Sequence, residues 1–228
     1  MDASVISKLL MGADTPMLPN TTAMRWAMHG GWAIVLGSGM MLVSRKRAIA
    51  YRWYLSLLVV LWTLLPLTAS PAHWLGLAFQ SPSLTSVVIC VGWLVHCSRR
   101  LQGSRVWPVQ IDRRALKILL VLGITAGWLM LLDTMAMLPL PFSLYALGFG
   151  SSAFTIMLAI AALLWVALGS LASALPLAVL SLFAISRLPT GNVWDALLDP
   201  WLWLALQTGW LLSVVRRLWT ARRLSAAT

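Results

Sequence analysis

The sequence predicts an all-α integral membrane protein: a single bundle of about seven transmembrane helices, N-terminus outside and C-terminus cytoplasmic, with short interfacial helices on the outer side. Three observations lead there. Only 10% of the 228 residues are charged and 60% are apolar, against roughly 25% charged in a soluble domain, so charge cannot cover the surface of a water-soluble globule. Mean hydropathy is +0.85. The few charges lie between long apolar runs, as a bilayer demands: a spanning helix needs about 20 mostly apolar residues, because the hydrocarbon core is about 30 Å thick and every backbone group must bond internally. The net charge of +11 therefore does not mark a nucleic-acid binder, and no nucleic-acid partner is expected.

Taken in order, residues 1–25 form an outer N-terminal segment without the basic start and apolar stretch of a signal peptide, and Pro16 and Pro19 break any helix early. Residues 4–11, through Val5, Ile6, Leu9 and Leu10, suit a short amphipathic turn on the outer surface. The bundle occupies residues 26–218, and its first span is the uncharged run 26–44. The uncharged run 53–98 is long enough for two spans and is interrupted by Pro66, Ser70-Pro71 and Ser81-Pro82. Each Ser-Pro pair suits an N-cap followed by proline at the first helical position. The division is a span at 53–68, an interfacial helix at 71–79 and a span at 82–98. Asp112 caps a span at 113–132, and Gly169-Ser170 divides the uncharged run 134–186 into spans at 147–168 and 171–186. Asp199-Pro200 starts the last span, 200–216, and residues 219–228 make a basic cytoplasmic tail.

Charge placement tests that count. With the N-terminus outside, the inner loops hold Arg45, Lys46, Arg47 and Arg52, then Arg99, Arg100, Arg105, Arg113, Arg114 and Lys117, then Arg216, Arg217, Arg222 and Arg223, which is 14 of the 17 basic residues. Five of the six acids (Asp2, Asp14, Asp133, Asp195 and Asp199) fall outside, and Asp112 inside. The Lys/Arg excess orients membrane proteins. Reading 134–186 as one span would put the four C-terminal arginines outside, so two spans are read there. Among the 14 tryptophans, Trp26, Trp53, Trp74, Trp107, Trp194, Trp201 and Trp219 fall near span ends, where amphipathic rings anchor at the headgroups.

Chemistry-bearing residues are sparse. There is no Glu, every Asp lies at or beyond a span end, and no Lys or Arg lies near a midplane. Ionisable groups at depth mark ion paths, so coupled transport and proton pumping are disfavoured. His29 and His73 fall on the outer side with Trp194-Asp195, while His96 is at the inner end of its span. A cluster of His29, His73 and Asp195 would suit a haem edge, a quinone headgroup or a metal; the simpler alternative gives each histidine a private hydrogen bond. No cofactor is expected, and no metal site is assigned. In its outer histidines and Trp-Asp pair the chain resembles the haem-handling proteins of cytochrome c maturation, but their dense tryptophan signature is missing and the chain is not assigned to them. Cys90 and Cys97 lie about 10 Å apart along one helix face, too far to pair. No GxSxG, HExxH, CxxC or phosphate loop is present.

Packing signals are better. Gly37 and Gly39, Gly123 and Gly127, and Gly148 with Ser152 are small residues at spacings that let helices approach closely, within the bundle or against a membrane-protein partner or second copy. Arg99, Arg100, Arg105, Arg113, Arg114, Arg216, Arg217, Arg222 and Arg223 suit contact with anionic inner-leaflet lipid, each contributing about 1 kcal/mol, or with an acidic cytosolic partner. The leading functional expectation is a non-catalytic membrane subunit or assembly factor of a larger complex in a bacterial inner membrane. Two alternatives remain: a permease for a small or apolar solute, using Pro66 and Pro176 as helix breaks, and a haem- or quinone-binding redox subunit.

Overall fold

Asn20 opens the first helix. Its side-chain oxygen accepts from the Thr22 N–H at 2.8 Å, and α1 (Thr21–Val43) runs from that cap. The computed structural model describes residues 18–101 and 112–225. The N-terminal turn expected at residues 4–11, Arg105 and Trp107 lie outside the described residues, as do the side chains of Arg100, Arg222 and Arg223. Because the Asn20 cap and not Trp26 sets its start, α1 begins before the expected span and contains Arg25. After a short turn, α2 (Ile49–Thr63) returns alongside it. Arg52 stands within α2 and not in the loop; its Nε and Nη2 donate to the Met41 carbonyl at 3.1 and 2.8 Å, closing the C-terminal end of α1, where a cation is favoured. The expected span to residue 68 is too long. Pro66 disfavours helical backbone at the residue before it, and α2 stops at Thr63, leaving Pro66 outside any α-helix.

A 3₁₀ turn (Leu67–Ala69) leads into α3 (Pro71–Phe79), capped by Ser70 with proline in the first turn. The next cap is not Ser81. Helix α4 (Leu84–Leu101) starts one turn-step later, where Ser83 Oγ accepts from the Ser86 N–H at 3.1 Å. Asp112 caps α5 (Arg113–Thr134) by accepting from the Arg114 N–H at 2.8 Å. Residues 148–150, expected to be helical, instead form a turn between α6 (Leu144–Leu147) and α7 (Ser151–Leu168). Gly169, at φ +57°, ends α7, and a capping box between Ser170 and Ser173 opens α8 (Leu171–Ser186). Pro176 is carried inside α8 without ending it. Two further helices complete the described chain, α9 (Val193–Leu197) and α10 (Pro200–Ser225), the latter running past residue 216.

The seven longer helices alternate in direction. At one end the start of α1 meets the end of α2 (His29 to Thr63), the start of α4 meets the start of α10 (Ser83 to Asp199), and the loop after α5 meets the segment after α8 (Tyr145 to Asp195). At the other end the start of α2 meets the end of α1 through Arg52. Helix α1 packs on α2, α3 and α4; α8 packs on α4, α5, α7 and α9; α10 packs on α5. The core lies among α7, α8 and α9, where Ala161, Leu180, Phe183, Val193 and Ala196 are buried with Leu84 and Phe154 against them. Apolar residues also stand outward, among them Val121 on α5, Leu163 and Val166 on α7 and Ile185 on α8, a surface suited to hydrocarbon and not to water. Helices α1, α5 and α7 are long and apolar enough to cross a membrane, and α2, the Leu84–Arg99 stretch of α4, and α8 are shorter apolar helices.

Candidate functional site

Three aspartates organise the end of the bundle where α3, α6 and α9 lie. Asp199 is the most enclosed, at 6% exposure. Its Oδ1 accepts from the Leu202 N–H at 2.7 Å, capping α10, where Pro200 occupies the first position with no N–H to satisfy. Its Oδ2 accepts from the Ser83 N–H at 2.8 Å, Ser83 Oγ at 2.7 Å and Ser86 Oγ at 2.5 Å. One carboxylate thus ties the start of α10 to the start of α4. A buried charge is tolerable when its lone pairs are filled in this way.

Asp195 holds a second junction. Its Oδ2 accepts from Tyr145 Oη at 2.9 Å and Thr190 Oγ1 at 2.5 Å. Burial pushes the Asp195 carboxyl above the ordinary carboxylate range, against the two hydroxyls that favour its charge. The Tyr145 phenol is raised too, first by burial and then by the neighbouring Asp195 charge. The Tyr145 N–H and Ser143 Oγ donate to Asp133 Oδ2 at 2.9 and 2.7 Å, fixing the loop to the end of α5. Asn192, fully buried, donates through Nδ2 to the Tyr145 carbonyl at 3.0 Å and accepts from the Trp194 N–H at 2.9 Å. Trp194 Nε1 reaches the Leu144 carbonyl at 2.9 Å. Gly148 is required here: a Cβ would collide with Asn192 Oδ1 and the Trp194 ring, and the Gly148 carbonyl accepts from the Val193 N–H at 2.9 Å.

His29, His73 and Asp195 are not brought together. His29 Nδ1 lies 3.4 Å from the Thr63 carbonyl, which also accepts from Ser70 Oγ. His73 packs edge-on against Trp74, and His96 stacks on Trp93 at the far end of α4. Among the described residues no group of three His, Cys, Asp or Glu side chains is placed to hold a metal ion. Cys90 and Cys97 are free thiols, the latter buried.

Most of the small residues serve contacts inside the chain. Gly37 faces α2, where a Cβ would stand 2.7 Å from Val60 and where Ser56 Oγ donates to the Gly37 carbonyl at 2.9 Å. Gly123 faces Leu206 of α10, and a Cβ on Gly127 would run into the Trp203 ring. Gly39 faces open space, and Ser152 is half-buried in the first turn of α7. Arg99, Arg113, Arg114, Arg216 and Arg217 are exposed at the end opposite the aspartates.

Sequence reasoning missed Ser83, Ser86, Tyr145, Thr190 and Asn192. The run Ser83-x-x-Ser86 carried a capping signal that the Ser81-Pro82 pair obscured, and Asn192 carried one as the cap of α9; the tyrosine and threonine carried none. Chemically, the site joins helix ends: its acceptors are filled by hydroxyls and amides of this chain. Comparison of the chain with protein families, curated proteins and solved structures gives no match.

Proposed function

We propose that the chain is a seven-span protein of a bacterial inner membrane, N-terminus outside, serving as a non-catalytic membrane subunit or assembly factor of a larger complex. The charge asymmetry supports this orientation: exposed Arg45, Lys46, Arg47, Arg99, Arg113 and Arg114 gather at one end with only Asp112 beside them, and Asp133, Asp195 and Asp199 lie at the other. The observation that carries the subunit reading is on α10. Gln207 and Thr208 sit midway between Pro200 and Val215, and neither side chain hydrogen-bonds any described residue. Thr208 is exposed, and beside it Ala205 and Gly209 form an exposed small-xxx-small pair; nothing lies within 4 Å of where a Gly209 Cβ would be. Lipid tails offer these groups no hydrogen bond, whereas a second helix does, at about 0.6–2 kcal/mol per bond.

A photo-crosslinker placed at Thr208 in cells, followed by purification in mild detergent and mass identification of the adducts, tests the reading. Capture of a membrane protein or of a second copy is expected. A monodisperse monomer with no protein adduct and no copurifying chain overturns it.

A further inference from the structure

A cleft of about 250 Å³ opens at the aspartate end, between α1, the start of α4 and the segment after α8. Gly30, Gly31 and Ile34 form one wall, and Val87, Leu188 and Pro189 line the cleft with Ser81. The two glycines play different parts. A Cβ on Gly31 would stand 2.8 Å from Pro82 Cγ, so Gly31 lets the turn before α4 close in, while a Cβ on Gly30 would meet nothing within 4 Å. The cleft follows α1 from Ala27 to Ile34, two helical turns or about 10 Å, which is a groove for an extended alkyl chain.

Arg187 is the chain neighbour of the cleft wall. It caps α8 in the left-handed region, at φ +56°, directly before Leu188 of the cleft wall. Its guanidinium rests over the Phe154 and Phe183 rings at 5.6 and 5.4 Å. Leu84 belongs both to the cleft wall and to the packing around Phe183, so the two features share a side chain. The backbone of Arg187 bonds Phe183 and Gly191, but its guanidinium forms no hydrogen bond or ion pair with any described residue. Stacking uses the flat face of a guanidinium and leaves its edge donors for a planar or phosphate anion. An apolar groove along a helix, with an uncommitted guanidinium on the residue next to its wall, has the charge and shape pattern of an amphiphile site.

We propose that this cleft binds an anionic phospholipid of the outer leaflet, its acyl chain along Gly30 and Ile34 and its headgroup phosphate on Arg187. The inference rests on the membrane placement of the helices and not on a partner at α10, so the two fail separately. The test uses the full chain in mild detergent, supplied with phosphatidylglycerol or phosphatidylcholine and examined by native mass spectrometry. The wild type is expected to retain phosphatidylglycerol in preference. Arg187→Asn removes the charge yet suits the left-handed backbone, and should reduce that preference by about fivefold, the share of one basic residue at a membrane surface. Gly30→Leu fills the open space and should lower retention of both lipids, while Gly39→Leu, on an open face of the same helix, should leave it unchanged. Retention by Gly30→Leu equal to the wild type, an undiminished preference in Arg187→Asn, or capture of a protein by a photo-crosslinker at Gly30 would each overturn the proposal.

Discussion

Replacing Asp199 gives the sharpest test of how the aspartate end is built. In Asp199→Ala the α10 cap to Leu202 disappears, a loss of about 1 kcal/mol. The Ser83 N–H is left buried without an acceptor, a further loss of about 1–3 kcal/mol. Ser83 Oγ and Ser86 Oγ still lie 3.2 Å apart and can bond each other, so they add little. The sum is about 2–4 kcal/mol, or a fall of roughly 5–15 °C in Tm for a chain of this size. Asp199→Asn separates the two junctions. Ser83 N–H and Leu202 N–H are fixed donors on different oxygens, so an amide satisfies one and turns its own donor toward the other. Its loss should be about half that of the alanine variant. Thermal scans of intrinsic fluorescence, read from the 14 tryptophans in mild detergent, give the comparison. If both variants melt with the wild type, or if asparagine proves worse than alanine, the carboxylate does not join α4 to α10 as described.

The same measurement checks Gly127→Leu, which drives a side chain into the Trp203 ring and should cost about 1–3 kcal/mol, while Gly39→Ala, facing open space, should be neutral or slightly stabilising. Arg52→Met keeps the alkyl stem but leaves the Met41 carbonyl without its two donors, for an expected loss of about 1–2 kcal/mol. Burial raises Asp195 in the folded state, so its contribution to stability is complete below the ordinary carboxylate pKa of about 3.9 and fades as pH rises through the raised value. Asp195→Asn should therefore flatten that part of the stability–pH curve, and an unchanged slope would assign it to another group. In a background with both cysteines replaced by serine, an impermeant thiol reagent should label Asn20→Cys and not Arg47→Cys on intact cells; the opposite pattern reverses the orientation.

Local signals are legible in the chain because they act over a few residues. Asp112, Ser70-Pro71 and Gly169-Ser170 each set a helix boundary where expected, since a cap needs only its own side chain and an N–H two or three positions on. Where two such signals compete within a few residues, as at Ser81-Pro82-Ser83, the choice fell to tertiary contact: Ser83 is the cap because Asp199 holds its N–H and hydroxyl from the other side. Likewise Pro66 is expected inside a span and stands beyond one, because a proline disfavours helical backbone before it and α2 ends at Thr63. The grouping of His29 and His73 with Asp195 failed for a different reason. All three belong to the same end of the bundle, but sharing a depth does not specify which helices are neighbours.

By itself the sequence determined the solvent preference of the chain, the apolar runs, the segregation of arginine from aspartate and most helix starts, because each follows from composition or from contacts a turn apart. Only the tertiary structure decided what the aspartates do. Ser83 and Asp199 are 116 residues apart, and Tyr145 and Asp195 are 50 apart; no local pattern links such partners. Their meeting depends on how α4, α5, α8 and α10 pack, through Gly123 and Gly127 against α10 and through Gly148 beneath Asn192. Burial there leaves Asp199 with both oxygens filled by hydroxyl and amide donors, since an unfilled buried polar group would be costly.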